Sequence, residues 1–580
     1  MLAFASYLLL SISLLARTWL SRGVGSHLVG GGGDPLGFVW FLAWLPHALT
    51  HGESPFFTHY LMAPQGANLL NSTAVPLPAL VLWPITSAFG PVLSYNVLAT
   101  LAPAASCWVA YLALRQVTTH RSSAWIGGAI YGLGGYMAGQ ATAHVNLMIT
   151  VFPPLAWILI EKIRREGHWL RDGALFGLAA AAQVYVNEEV FALTGIVALL
   201  AGVLAHFTGC LERRQIARLA RASASAAVVF ALLAGPSLGY QLYGPEHAHG
   251  VVVTSGRYVN DLASFVVPNA LQWLSTTGSM SLASGFSGFD GEWGGYLGAP
   301  LLCLLAFACW RLRRRTLLPG TLLACVALLS LGPHLRVLGH DTGLLLPWVL
   351  PNHLPLLADV VPDRFNLFVW GFAAILFVMV LDDVRARPIA GRPAIGLAAC
   401  VFALAPILPK LAPVEHVGAP RLLRDGASFR AALPGVQTIL IVPAGNGQYA
   451  MYAQALSGFS YRIPDGGVFV PGRAGPAYGM REGPLLYALD AVAGTAGARA
   501  GQTRMDRRCL GRIGAERALD RACRGFYRAA IAALDLDAVI INRPRSRGAR
   551  FARLFASLLG RARRDEGMLI FIARPARETG

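Results

Sequence analysis

The sequence predicts an α-helical polytopic membrane protein of about 11–13 spans that carries a C-terminal α/β domain outside the membrane. Three observations predict it. Of 580 residues, 55% are hydrophobic and only 13% charged, roughly half the charged share of an ordinary soluble domain. Apolar runs recur through residues 1–411, spaced as successive crossings of a hydrocarbon layer would be. The basic residues divide sharply: 25 of 48 Lys and Arg follow Leu411, and most of the others cluster between apolar runs. This composition excludes a disordered chain. With 8 cysteines in 580 residues it also excludes a small disulfide-stapled fold. The formal charge of +18 reads as a topology signal rather than a nucleic-acid patch, because the clusters sit in short loops.

Residues 1–20 are apolar apart from Ser, Tyr, Thr and Arg17. They lack a basic leader and an A-x-A cleavage site, so they read as an uncleaved first span. Ten further apolar segments follow, at residues 93–114, 124–137, 147–160, 173–187, 190–207, 224–240, 297–310, 317–331, 365–381 and 395–411. Arginine sets the orientation. Arg115/Arg121, Lys162/Arg164/Arg165/Arg171, Arg213/Arg214/Arg218/Arg221, Arg311/Arg313/Arg314/Arg315 and Arg385/Arg387/Arg392 occupy alternate connections. Basic loops stay in the cytoplasm, so eleven crossings put the N-terminus inside and everything after Leu411 outside. Residues 74–89 are apolar but broken by Pro76, Pro78 and Pro84, which predicts a re-entrant or interfacial element. In residues 36–50, Leu36, Val39, Trp40, Ala43 and Trp44 share one face, as in a helix lying along the membrane surface.

The expected division is a membrane domain over residues 1–411, with a first outer loop at 21–92, and an exported α/β domain over 412–580. In the latter, VQTILIVP (436–443), DAVIIN (537–542) and MLIFIA (568–573) read as short buried strands. Helical stretches fall at 485–492, 524–534 and 551–559. This domain holds 25 Arg against 13 acidic residues, which suits either contact with anionic lipid or an ordinary solvated surface. Cys509 and Cys523 are its only cysteines and are candidates for one disulfide if the compartment is oxidising.

The topology gathers acidic residues on the outer side. Asp34 follows a run of four glycines in the first outer loop, Glu188 and Glu189 occupy a turn between spans, and Asp290 and Glu292 lie in the 244–293 loop. His144 falls in another outer turn, and Arg364 opens a late span. Asp34, followed by Pro35, has two readings: a helix N-cap, or a general base beside a backbone that substrate can approach closely. Glu188 and Glu189 sit close to the hydrocarbon boundary, where carboxylates are costly and often functional. Arg364 suits a phosphate because a planar guanidinium engages two oxygens at once; its plainer reading is an interfacial anchor. No Walker loop, HExxH, CxxC or GxSxG pattern is present, and the histidines lack metal-ligand spacing.

These motifs together carry a resemblance. The stretch GGGGDPLGFVWFLAWLPHAL with its continuation SPFFTHYLMAPQGANLLNST, and then AHVNLM, NEEV, GGYLGAPLL and VPDRF, resemble polytopic bacterial membrane proteins related to the GT-C glycosyltransferases. The resemblance implies an enzyme of the bacterial cytoplasmic (inner) membrane. It would take a sugar from a polyprenyl-phosphate carrier and pass it, with inversion, to a glycan or lipid acceptor at the outer face. It implies Asp34 as general base, with Glu188 and Glu189 catalytic beside it and His144, Asp290, Glu292 and Arg364 binding substrate. The implied partners are the lipid-linked sugar, its acceptor and the bilayer, with no nucleic acid; a divalent cation is a conceivable cofactor. The first-loop acid is single where the family often pairs two. The competing classes are a lipid-linked saccharide flippase or exporter, and a non-catalytic scaffold for envelope assembly.

Overall fold

Each of the eleven apolar segments forms helix in the computed structural model, which describes all residues except 22, 167, 255, 355–356, 444–446, 474, 496–501, 516, 543–547 and 575–580. Five helical stretches are long and apolar enough to cross a membrane: Pro91–Leu114, Val145–Arg165, Glu188–Phe207, Arg213–Tyr243 and Pro362–Ala386. At 1.5 Å rise per residue, about 20 residues match a core about 30 Å thick. The others are shorter or interrupted. The first segment divides into Leu2–Leu14 and Ala16–Leu20, and the third divides at Gly134 into Arg121–Leu133 and Gly135–Gln140. Residues 74–89 form two short helices, Pro76–Val81 and Trp83–Phe89, meeting at Leu82. Neither has the length to span hydrocarbon, which accords with a re-entrant or interfacial element.

By their contacts the residues form two compact units. The first comprises 1–31, 96–236 and 253–415, and its core centres on helix Asn366–Ala386, where Trp370, Phe377 and Val380 are buried. That helix is apolar on every side because helices Arg121–Leu133, Ala299–Leu312, Leu317–Ser330 and Pro393–Leu404 surround it. A helix hydrophobic all round belongs in the interior of a bundle.

The second unit comprises 32–95, 237–252 and 416–580, so residues 32–92 of the expected first outer loop belong with the C-terminal region. Its sheet runs Arg563–Asp565, Met568–Ile572, Ala538–Asn542, Ile439–Val442. Strand Ala538–Asn542 pairs antiparallel with Met568–Ile572 and parallel with Ile439–Val442. The three predicted strands are all present, since a strand buried on both faces shows as an unbroken apolar run. Helices Pro484–Ala493, Arg521–Ala533 and Gly548–Leu559 match the predicted ones. Their apolar faces build a core with Leu440, Val539, Ile541, Tyr527 and Phe555. Helix Arg504–Gly514, helix Gln448–Leu456 and the hairpin Phe469–Gly472/Gly475–Tyr478 were not foreseen.

One expectation is overturned. The segment 36–50 belongs to helix Asp34–Thr50, and 13 of its residues are buried, Phe38, Phe41 and Leu42 as well as the Val39/Trp40/Trp44 side. It is an internal helix of the second unit, not a surface-lying amphipathic one. Trp40 donates from its indole to Gln454 Oε1 (2.7 Å) and stacks on Trp44. The partner faces come from residues more than 400 positions away, so local periodicity could not foretell them.

Cys509 and Cys523 are joined in a disulfide. Their separation of 14 residues corresponds to roughly 3 kcal/mol of stabilisation in the loop-entropy picture. The double variant Cys509→Ser/Cys523→Ser is therefore expected to melt several degrees lower, read by thermal unfolding of the full chain. In the unaltered protein, these two thiols should take up maleimide only after reduction.

Candidate functional site

The predicted site residues separate into two clusters, one inside each unit. In the second unit, helix Asp34–Thr50 begins at Asp34 itself, with Gly33 as its N-cap and no side-chain cap. The capping role for Asp34 is thereby set aside. Its carboxylate instead accepts a hydrogen bond from Gln448 Nε2 (2.5 Å), and the same nitrogen lies 2.8 Å from the Tyr478 hydroxyl. Gln448 opens the helix Gln448–Leu456 directly after Gly447, and Tyr478 ends the hairpin strand Gly475–Tyr478. Two glycines let this trio close. A Cβ on Gly33 would stand 1.6 Å from Gln448 Oε1, and one on Gly467 would stand 2.6 Å from Gln448 Cγ and 2.9 Å from the Tyr478 hydroxyl. The glycine before Asp34 thus admits a side chain from a distant helix. Tyr478 is 40% exposed, but burial of its hydroxyl end and the Asp34 carboxylate push the phenol well up. It stays protonated, a standing hydrogen-bond donor at the edge of the site.

Asp465 is a second carboxylate of this unit that the sequence reading passed over. It is fully buried, and neither oxygen has a hydrogen-bond partner among the described residues. Burial pushes its carboxyl up to about 7. An unfolded Asp ionises near 3.9, so between about pH 4 and pH 7 the folded chain holds a proton that the unfolded chain has released. The stability this group contributes is fully present below about pH 4 and is lost as pH rises to about 7. Asp465→Asn is expected to flatten that slope. The variant should match the unaltered protein near pH 4 and exceed it above pH 7 by an amount on the order of a few kcal/mol, measured by thermal unfolding across pH.

In the first unit, Arg364 binds two carboxylates. Its Nη1 contacts Glu189 Oε2, and Nη2 donates to Glu292 Oε1 (2.9 Å). Glu189 also accepts from the Val361 backbone N–H (3.0 Å). His144 Nδ1 lies 2.9 Å from Gln140 Oε1 and 3.8 Å from Glu292 Oε1, its ring edge against Phe289. The Glu292 side chain is 1% exposed, and those of Arg364 and Glu189 are 15% and 17% exposed. Burial alone would raise the Glu292 carboxyl, but Arg364 and then His144 outweigh it and hold the group below its ordinary value. The glutamate is positioned by its loop: the Trp370 indole donates to Gly294 O (2.8 Å), and Asn269 Nδ2 donates to Trp293 O (2.9 Å).

Three expectations change here. Both terminal nitrogens of Arg364 are committed to carboxylates, so its charge is already neutralised and the phosphate-holding role loses its basis. Asp290 is exposed and stands apart from the cluster that its neighbour Glu292 joins. Glu188 and Glu189 are the first two residues of helix Glu188–Phe207, capped by Asn187. Consecutive residues point about 100° apart, and Glu189 is the one turned to Arg364. Asp34 and these residues belong to different units. Gln448 and Tyr478 were missed; the only available hints were Gly447 ahead of Gln448 and the Gly466–Gly467 pair.

Among the described residues, no group of three or more His, Cys, Asp and Glu is gathered as a metal ion would require.

The fold has counterparts among solved structures. The mycobacterial arabinofuranosyltransferase AftD superposes with a TM-score of 0.60 at 14% identity, covering 98% of this chain and 40% of that one. The oligosaccharyltransferase of Archaeoglobus fulgidus, in its complex with Zn and sulfate, superposes with a TM-score of 0.51 at 11% identity, covering 93% and 68%. This chain therefore spans about 40% of the length of the arabinofuranosyltransferase. Both are GT-C glycosyltransferases, and this chain has the GT-C fold, with the apolar helices of a multi-pass membrane protein. No curated protein matches it. Residues 40–404, more than half of the chain, match the family described as a domain of unknown function, DUF6311, and the protein belongs to that family.

Proposed function

We propose that this protein is a membrane glycosyltransferase that moves a sugar from a polyprenyl-phosphate carrier to a cell-envelope glycan or lipid at the outer face of the cytoplasmic membrane. The observation that carries the reading is the Asp34 carboxylate. It opens a buried helix without capping it and is aimed by Gln448, itself beside Tyr478. Support also comes from the fold, which is that of enzymes performing sugar transfer.

The step is a single displacement. Asp34 accepts the proton of the acceptor hydroxyl as that oxygen attacks the anomeric carbon. The bond from this carbon to the phosphate oxygen breaks, the new glycosidic bond forms with inversion, and polyprenyl phosphate leaves as the anion. Gln448 orients the carboxylate, and Tyr478 donates a hydrogen bond at the rim. Since Arg364 is neutralised, arginines of the exported domain take the charge of the departing phosphate. Glu189 and Glu292 act through Arg364 as positioning residues. The sidedness rests on the arginine-rich loops, and the disulfide suits an oxidising outer compartment.

The test uses the purified full chain in lipid nanodiscs, with radiolabelled polyprenyl-phosphate sugars and envelope glycan acceptors. Label transfer into the acceptor, with the inverted anomer seen by NMR, is the expected result. Translocation of a lipid-linked saccharide in vesicles without any new glycosidic bond would identify a flippase instead, and neither activity would identify a scaffold.

A further inference from the structure

The first unit contains a cavity of about 950 Å³ that the proposed chemistry does not use. It lies among helices Pro91–Leu114, Arg121–Leu133, Phe152–Glu166, Trp169–Val184, Glu188–Phe207, Arg213–Tyr243, Leu317–Ser330 and Asn366–Ala386. Along helix Glu188–Phe207 the lining runs from Phe191 to Ala205, about 20 Å of helix and roughly two-thirds of the hydrocarbon thickness. Its walls are Ala, Leu, Phe, Val and Gly side chains almost throughout. Water gains little in such a space, and a saccharide would meet few hydrogen-bonding partners along it.

One end is different. There the lining includes Arg164 and Arg315, where the helices Phe152–Glu166 and Ala299–Leu312 run out into basic loops. Arg164 and Arg165 share a single carboxylate, Glu161. The Arg218 guanidinium spends its bonds on the backbone carbonyls of Arg164 and Arg165, and Arg315 is exposed and has no partner among the described residues. Four guanidinium groups thus stand with two carboxylates, Glu161 and Glu212, which acts on Arg164, and positive charge is in excess at the mouth. This mouth is at the end of helices Glu188–Phe207 and Asn366–Ala386 opposite to Glu189 and Arg364. Two of the walls, Glu188–Phe207 and Arg213–Tyr243, have only 22% and 11% of their apolar windows buried, so the cavity is bounded by helices that face lipid.

We propose that this cavity holds an anionic glycerophospholipid, with its phosphate on Arg315 and Arg164 and its acyl chains among these helices. Apolar walls fit the chains, the excess positive charge fits the headgroup, and the position at the bundle's basic end fits the headgroup level of one leaflet. The inference does not depend on the sugar-transfer reading, because the cavity's mouth is remote from the residues that reading uses in this unit.

The test compares lipid retained by the purified full chain, by native mass spectrometry, after exchange into nanodiscs of phosphatidylcholine with or without one-fifth phosphatidylglycerol. One tightly retained phosphatidylglycerol per chain is expected. Arg315→Ala should weaken its retention about fivefold, the effect of removing one basic residue near a lipid phosphate. Gly202 lines the cavity, and a Cβ there meets nothing within 4 Å. Gly202→Phe should therefore intrude on the space and weaken retention while leaving the helical circular dichroism intact. Equal retention by both variants and the unaltered chain would overturn the proposal. So would equal retention of phosphatidylcholine, or recovery of polyprenyl phosphate in place of a glycerophospholipid. If Gly202→Phe does not fold, the Arg315→Ala comparison decides alone.

Discussion

Arg364→Leu is expected to destabilise the protein by about 3–5 kcal/mol, the usual consequence of removing one partner from a buried ion cluster. Two carboxylates, Glu189 and Glu292, would be left without their shared cation, and the Glu292 side chain is 1% exposed. Glu189 would keep the Val361 N–H, while Glu292 would be left facing His144, Gln140 and the buried Asp363 carboxyl. The penalty comes from stranded charge and not from lost packing, so it should be reversible. The triple variant Glu189→Gln/Arg364→Leu/Glu292→Gln removes all three charges and should recover most of the stability, since a buried ionic group is often no better than a neutral replacement. Thermal unfolding in nanodiscs, followed by tryptophan fluorescence, reads both. A single variant that melts with the unaltered protein would show that the cluster is solvated and of little structural weight.

Asp34→Asn is expected to lower sugar transfer by about 10²–10⁴-fold, the range that general base catalysis supplies, with the melting temperature nearly unchanged. Asparagine keeps the oxygen that accepts from Gln448 Nε2, so the local geometry survives while the proton acceptor is lost. Gly33→Ala separates base strength from aim. Gly33 has an ordinary helical backbone conformation (φ −83°), so alanine is tolerated there, but its Cβ would meet Gln448 Oε1 at 1.6 Å. The flexible glutamine must swing away, leaving the Asp34 carboxyl group in place but misdirected. Transfer should fall less than for Asp34→Asn, and restoring room with Gln448→Ala should not rescue it. Full activity in Asp34→Asn would remove the assignment.

Much of the fold was legible from composition and order. Ile439–Val442, Ala538–Asn542 and Met568–Ile572 announced themselves as apolar runs because a sheet covered on both faces has no polar alternation to hide them. The Cys509–Cys523 pair was legible because no other cysteine lies in that domain. Helix Arg504–Gly514 was less so: arginines interleave its apolar face, and no run of hydrophobic residues marks it. Likewise Gln448–Leu456 is a nine-residue helix buried along its length by the second unit, and nothing in its own nine residues tells of that surrounding.

The sequence by itself determined the membrane-spanning character, the C-terminal α/β domain and the residue types available for chemistry, all properties set by local hydrophobicity and spacing. Only the tertiary structure decided which of those residues meet. Asp34 and Gln448 are 414 positions apart, and Glu189 and Arg364 are 175 apart. Which glutamate of an adjacent pair turns inward, and whether an arginine is open to a phosphate or held by carboxylates, depends on helix phase and long-range packing. Those are energies of the whole folded chain, and they leave no periodic trace in any one segment.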